Sequence, residues 1–330
     1  MKRWTRCNSL EVVCYTAWMV QESEHVELIY SGGNLYEGPL WDADSGLWWL
    51  DIHDARVFHM PIEAPRSRVM TYSLPVTALA RAGNGCVWAF SAQRAWKLGV
   101  TGEEPRGIEE RGEYPIEPAL IARDAGSGSV GRSNDGGASP WNTMLLGTMV
   151  EPPRDGAGTL HELHPPNGPP GDGVMQSQLI RPDVTISNGI AFSRANKVPG
   201  FYYIDTPRRQ VEFAEADSGG YHFRVVIDLK DETGFPDGMT MDAQGLLYVA
   251  MWSGSTLLIA DPITARVTRR VTIPSLNVTS CAFGGPDMRD LFVTSAEQDG
   301  DNEQAACLYR IRRLASGMSE PVLWSTRISS

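Results

Sequence analysis

Four separated segments of the chain set an acid or an amide beside glycine, just ahead of an apolar run. Glu37 stands in "YEGPLW", Asn134 and Asp135 in "GRSNDGG", Asn188 in "ISNGIAF" and Asp237 in "FPDGMTM". Three of the segments share one form: acid or amide, then Gly, then an apolar residue. Oxygen donors of this kind suit a hard divalent cation, Ca²⁺ first, with Mg²⁺, Mn²⁺ or Zn²⁺ as alternatives. Carboxylates brought together would otherwise repel and push a pKa upward, a cost that a bound ion removes. The same ion could polarise a carbonyl oxygen as a Lewis acid. Taken singly, each piece has a plainer reading. Asp-Gly and Asn-Gly are common turn pairs, Glu37 before Gly-Pro reads as a solvated loop acid, and Arg132 reads as a surface charge. Recurrence at equivalent points of successive units is what argues for one shared site.

Those units are visible as a repeat. An apolar pair, a polar turn rich in Asp and Gly, and a strand with aromatics return from Pro39, Leu79, Gly189, Gly238 and Cys281, with a less regular copy from Asn142. Runs such as Leu246–Ala250 and Leu291–Thr294 have strand composition, and no long segment has helical periodicity. Repeats of roughly 40–50 residues, each with several strands, predict an all-β, six-bladed β-propeller over residues 25–330 with a metal site in its central channel. Each blade's first strand lines that channel, and the loop entering it carries the polar group. The tracts Arg123–Pro140 and His164–Gly173 read as Gly/Ser- and Pro/Gly-rich loops. Closure is expected between a strand near "HVELIY" and one near "PVLW", which removes the open sheet edge. Trp48-Trp49 reads as blade packing.

Bulk composition narrows the function classes. The 330 residues carry a formal net charge of −11, so nucleic acid and anionic membranes are poor partners. Cys7, Cys14, Cys86, Cys281 and Cys307 form no CxxC pair, which speaks against a disulfide framework or a cysteine zinc site and favours a reducing, cytoplasmic setting. Basic residues and the run "LEVVCYTAWMV" open the chain. Glu11 interrupts that run and no clean cleavage site follows, so residues 1–24 read as an extension outside the main fold rather than a signal peptide. The sequon at Asn277 falls on an apolar run and is expected to carry no glycan. His53, His59, His161 and His164 form no catalytic motif, and neither a nucleophile elbow nor a P-loop is present.

The segments "YEGPLWD", "GRSNDGG" with "LLGTM", "ISNGIAFS", "FPDGMTMDAQGLLYVAMW" and "TSCAFGGPDMRDLFVTSA" resemble, in order and over residues 36–296, the SMP-30/gluconolactonase/LRE (regucalcin-like) family. The resemblance implies a six-bladed propeller with one divalent cation and hydrolysis of sugar-type lactones to hydroxy acids. It implies Glu37, Asn188 and Asp237 as metal ligands, Asp237 as general base, and Arg132, Asn134 and Glu151 as substrate-binding residues. The Gly/Ser tract before Arg132 and the Pro152-Pro153 pair depart from the family pattern in the loops that shape specificity. A metal-dependent phosphotriesterase or arylesterase, and a non-enzymatic calcium-binding regulatory propeller, stand as alternatives. The expected partner is a small lactone.

Overall fold

The computed structural model describes residues 24–62, 69–102, 107–118, 120, 130–192, 200–298 and 305–324. The expected boundary after residue 24 falls at the edge of this range, and residues 1–23 lie outside the described residues. The described chain is all-β apart from one 3₁₀ turn at Thr206–Arg208. Strand β1 (Val26–Gly33) leads into a meander of β2 (Tyr36–Asp42), β3 (Gly46–Asp51), β4 (Arg56–Pro61) and β5 (Met70–Ser73). A second runs through β6 (Ala78–Gly83), β7 (Cys86–Phe90), β8 (Arg94–Val100) and β9 (Ile108–Glu117). The third is β10 (Val130–Ala138), β11 (Met144–Glu151), β12 (Gly158–Leu163) and β13 (Met175–Val184). The fourth is β14 (Ser187–Phe192), β15 (Gly200–Asp205), β16 (Gln210–Asp217) and β17 (Gly220–Asp228). The fifth is β18 (Phe235–Met241), β19 (Leu247–Trp252), β20 (Thr256–Asp261) and β21 (Arg266–Thr272). The last is β22 (Asn277–Gly284), β23 (Asp290–Ala296) and β24 (Ala306–Ile311).

Hydrogen bonding corrects the expectation of six separate blades. The described strands form four four-stranded sheets and one eight-stranded sheet. The larger sheet arises because the outer strands β9 and β13 pair in parallel, through Met175↔Ile116 and Gln176↔Glu117 alone. The arrangement is propeller-like in its packing. Each of six core clusters lies between two successive meanders, and the one containing Tyr36, Trp49, Phe292 and Leu308 joins the first to the last. In β3 the strand period of two sends Leu47 and Trp49 to that cluster, and Trp48 and Leu50 to the cluster shared with the second meander. All four side chains are buried, which explains an uninterrupted apolar run in a strand covered on both faces.

Closure also departs from expectation. Strand β1 pairs antiparallel with β24, from Val26↔Ile311 to Gly33↔Ala306, and so completes the last sheet. The "PVLW" segment is instead part of a C-terminal strap. It bridges Asp242 through Gly317 and Arg81 through Val322, crossing the C-terminal ends of the innermost strands. Gly317 packs so closely that a Cβ would stand 2.1 Å from Cβ of Phe283. Leu323 is fully buried in the cluster with Trp88, Phe90 and Leu146.

Part of the tract read as a loop is a strand. Residues 121–129 lie outside the described residues, but Val130–Ala138 is innermost strand β10. Its glycines answer crowding against neighbouring strands: a Cβ on Gly136 would lie 2.7 Å from the Leu145 carbonyl oxygen of β11. The copy placed at Asn142 therefore begins one strand late. No helix of the described residues is long and apolar enough to cross a membrane. Asn277 is buried, accepting from Ser253 and donating to the Glu297 carbonyl.

Truncating Leu323 to Ala leaves a cavity where the strap enters the core. An expected loss of about 2–5 kcal/mol follows, measurable by denaturant unfolding of the full chain. A loss near zero would mean that the strap is not integral to the fold.

Candidate metal centre

The polar residues singled out in the sequence are not on loops. Glu37, Asn134, Asp135, Asn188 and Asp237 lie within innermost strands β2, β10, β14 and β18. The register with the second strand slips at each: between Glu37 and Leu40, Ser133 and Gly136, Asn188 and Ile190, and Pro236 and Met239. These are β-bulges, which bend a strand and re-aim a side chain. The glycine after each functional residue has a local cause. Gly38 adopts φ +52°, a conformation open to glycine at little cost. A Cβ on Gly238 would meet Ser280 Oγ at 2.4 Å, where neighbouring innermost strands crowd together.

The bulges gather two groups of side chains. Glu37 and Asp237 are buried, and Asp135 is partly accessible from a cavity of about 60 Å³ that it lines with Gly38, Thr240, Ser280, Cys281 and Glu320. Burial, then the charges of Asp237 and Asp135, holds Glu37 well above the ordinary carboxylate range. Burial and then the charge of Asp135 do the same to Asp237. Burial raises Asp135 to about 6, against the opposing hydrogen bond from Gly136 N–H. Arg132 lowers Glu37 and Asp237 only in part. Asp135 is the carboxylate that the expected ligand set omits, although its Asp-Gly pair has the same form as Asp237-Gly238.

The second group is a hydrogen-bonded chain. Arg132 Nε and Nη2 both reach Glu151 Oε1, at 2.8 and 2.7 Å. Arg132 Nη1 donates to Asn134 Oδ1 at 2.5 Å. Asn134 Nδ2 donates to the Ser187 carbonyl and to Asn188 Oδ1, both at 2.8 Å. Asn188 Nδ2 donates to Thr206 Oγ1 at 2.7 Å. Arg132, Asn134, Glu151 and Asn188 are thus brought together, and Arg132 acts electrostatically on Glu37 and Asp237. His59 and His161 are elsewhere in the core, each lowered to about 4 chiefly by burial.

Among the described residues, no three His, Cys, Asp or Glu side chains are grouped as a metal site. The expected ligand set contains only two carboxylates, its third member being the amide of Asn188. Its chemistry fits a hard cation: buried oxygen donors, an excess of negative charge that Arg132 offsets only partly, and no thiolate or imidazole.

A family model described as "SMP-30/Gluconolactonase/LRE-like region" matches residues 35–297. Regucalcin of Danio rerio is 33% identical over 294 residues, covering 84% of this chain and 90% of its own. A Bacillus subtilis protein named as a candidate sugar lactone lactonase, YvrE, is 28% identical over 266 residues, covering 79% and 83%. A solved regucalcin of Agrobacterium tumefaciens, described as a calcium-binding protein, superposes with a TM-score of 0.73 at 24% identity, covering 91% and 97%; that likeness concerns the fold.

Unfolded, the Asp135 carboxyl titrates near 3.8, and folded at about 6. A raised folded value means that protonation favours the folded chain. That contribution is complete below about pH 4 and is lost as pH rises through about 6. In chelator, the melting temperature of the full chain should therefore fall between about pH 4 and pH 6 more steeply than that of Asp135→Asn. Scanning calorimetry at matched ionic strength checks this, and identical slopes would show that Asp135 is not the titrating group.

Proposed function

The chain belongs to the SMP-30/gluconolactonase/LRE-like family, and from that membership we propose that it is a metal-dependent lactonase opening a sugar-type lactone to its hydroxy acid. The observation that carries the reading is the pairing of two buried carboxylates, Glu37 and Asp237, and the partly accessible Asp135 with the polar chain from Glu151 through Arg132 and Asn134 to Asn188. We read the eight-stranded sheet as two blades joined at one short outer pairing, which makes six in a single propeller over residues 25–330, with residues 1–24 an extension. A cytoplasmic setting accords with the free thiols of Cys86, Cys281 and Cys307.

Glu37, Asn188 and Asp237 are the residues that would hold the ion. A divalent cation there, Ca²⁺ by preference, supplies Lewis-acid polarisation of the lactone carbonyl and stabilises the oxyanion charge. This chain's own residues do the rest. Arg132, Asn134 and Glu151 bind substrate hydroxyls at the half-exposed rim, which orients the ring with its carbonyl inward. Asp237 takes a proton from the attacking water as the new C–O bond forms. It then gives that proton to the ring oxygen as the ring C–O bond breaks, so the product keeps every atom of lactone and water.

Full-length protein dialysed against chelator and resupplied singly with Ca²⁺, Mg²⁺, Mn²⁺ or Zn²⁺ should open sugar lactones only after metal is restored. Asp237→Ala should lower kcat by at least ~10²-fold. Phosphotriester turnover exceeding lactone turnover at equal metal would favour the phosphotriesterase reading. Tight calcium binding with no lactone opened would favour a regulatory propeller.

A further inference from the structure

Asn188 can present either its oxygen or its nitrogen to a cation, and only the oxygen can bind one. Which atom faces the site is decided by the hydrogen bonds on its other side. Thr206 lies in the 3₁₀ turn after β15, between β14, which carries Asn188, and β18, which carries Asp237. Its hydroxyl is 2.9 Å from the Pro236 carbonyl oxygen. A carbonyl only accepts, so Thr206 must donate there and can only accept from its other partner. That partner is the Asn188 amide at 2.7 Å, which must therefore turn its NH₂ towards Thr206. Asn188 Oδ1 is left to face Asn134 Nδ2, itself held by the Ser187 carbonyl.

Every link of this chain has a fixed sense, running from Arg132 to the backbone of Pro236. A reversed Asn188 would set donor against donor at Asn134. Thr206 is buried, so losing one of its partners there leaves a desolvated polar group unpaired. Because Pro236 immediately precedes Asp237, the same hydroxyl ties the amide to the strand that carries the carboxylate. An analogous bond pins the other buried acid: Thr279 Oγ1 donates at 2.6 Å to the carbonyl of Tyr36, the residue before Glu37.

We infer that Thr206 is a positioning residue which turns the Asn188 oxygen towards the cation and sets its separation from Asp237. The inference rests on the cation reading proposed above. It is tested by binding rather than turnover, with the full chain dialysed against chelator and titrated calorimetrically with Ca²⁺ alone and Mn²⁺ alone. Thr206→Val keeps the shape and removes the hydroxyl, and should weaken cation binding about tenfold to hundredfold. Thr206→Ser keeps the hydroxyl and should bind within about threefold of the parent, a rescue that a purely packing role would not produce. Thr206→Ala serves if the Val protein lacks a cooperative melt in chelator. If neither folds, the Ser protein decides, and its binding tenfold more weakly than the parent overturns the inference. Equal affinities for Val and parent overturn the positioning role while leaving the cation site standing. A parent that binds neither ion overturns both.

Discussion

Negative charges drawn out of water towards one axis repel each other, and the fold must hold Glu37, Asp135 and Asp237 there against that repulsion. No single segment could do so. Each carboxylate belongs to a different meander, so its position is set by the packing of the whole ring. Six core clusters between successive meanders supply that rigidity, and pairing of β1 with β24 prevents the ring from opening at its seam. The strain is local and chemical: burial pushes all three groups towards protonation, and neighbouring carboxylates add to it at Glu37 and Asp237. A cation held between Glu37 and Asp237 would offset the repulsion of that pair.

The aspartates elsewhere in the fold make the contrast clear. Asp51 accepts from the backbone of Asn34, Leu35 and Asp54, and Asp205 from Thr185 and Ile186. Asp42 accepts from Ser45 and is paired with Arg81, and Asp242 accepts from Gln244 and Leu246. These carboxylates are buried, but backbone donors or an arginine satisfy them, and they fasten turns and neighbouring strands. Glu37 and Asp237 each carry a single glycine N–H of that kind, from Gly38 and Gly238. Buried acids with few internal donors are the ones free to meet a ligand.

Much of this was legible in the sequence, for reasons that differ by residue. Glu37, Asn188 and Asp237 stood out because the axis imposes the same constraint on each strand, so acid or amide followed by glycine recurs. Trp48-Trp49 was legible as packing because strands covered on both faces leave no polar alternation. The bulges were not legible, since a register slip depends on the partner strand. Val130–Ala138 looked like a loop because glycine composition is the same whether the backbone bends freely or is crowded against Leu145 and Ile190. "ACLYRI" and "PVLW" are both short and apolar, and only long-range pairing assigns the first to β24 and the second to the strap. Asp135 carried the right local form but was overshadowed by its neighbour Asn134. Thr206 carried no signal, because a hydroxyl's role is set by partners that are 18 and 30 residues away.

The two halves of the site are electrostatically unlike, and that difference is informative about orientation. The inner half is anionic and buried. The rim holds Arg132 and Glu151, with side chains 21% and 44% exposed, paired to each other. An ion pair at that exposure contributes little to stability, so its geometry is cheap to rearrange when a ligand hydroxyl competes for either partner. Between the halves, Asn134 and Asn188 carry no net charge, and their dipoles are aligned by the directed chain from Arg132. Such a gradient admits a neutral ligand more readily than an anion, because the buried carboxylates repel any ligand that brings negative charge without a cation to meet it.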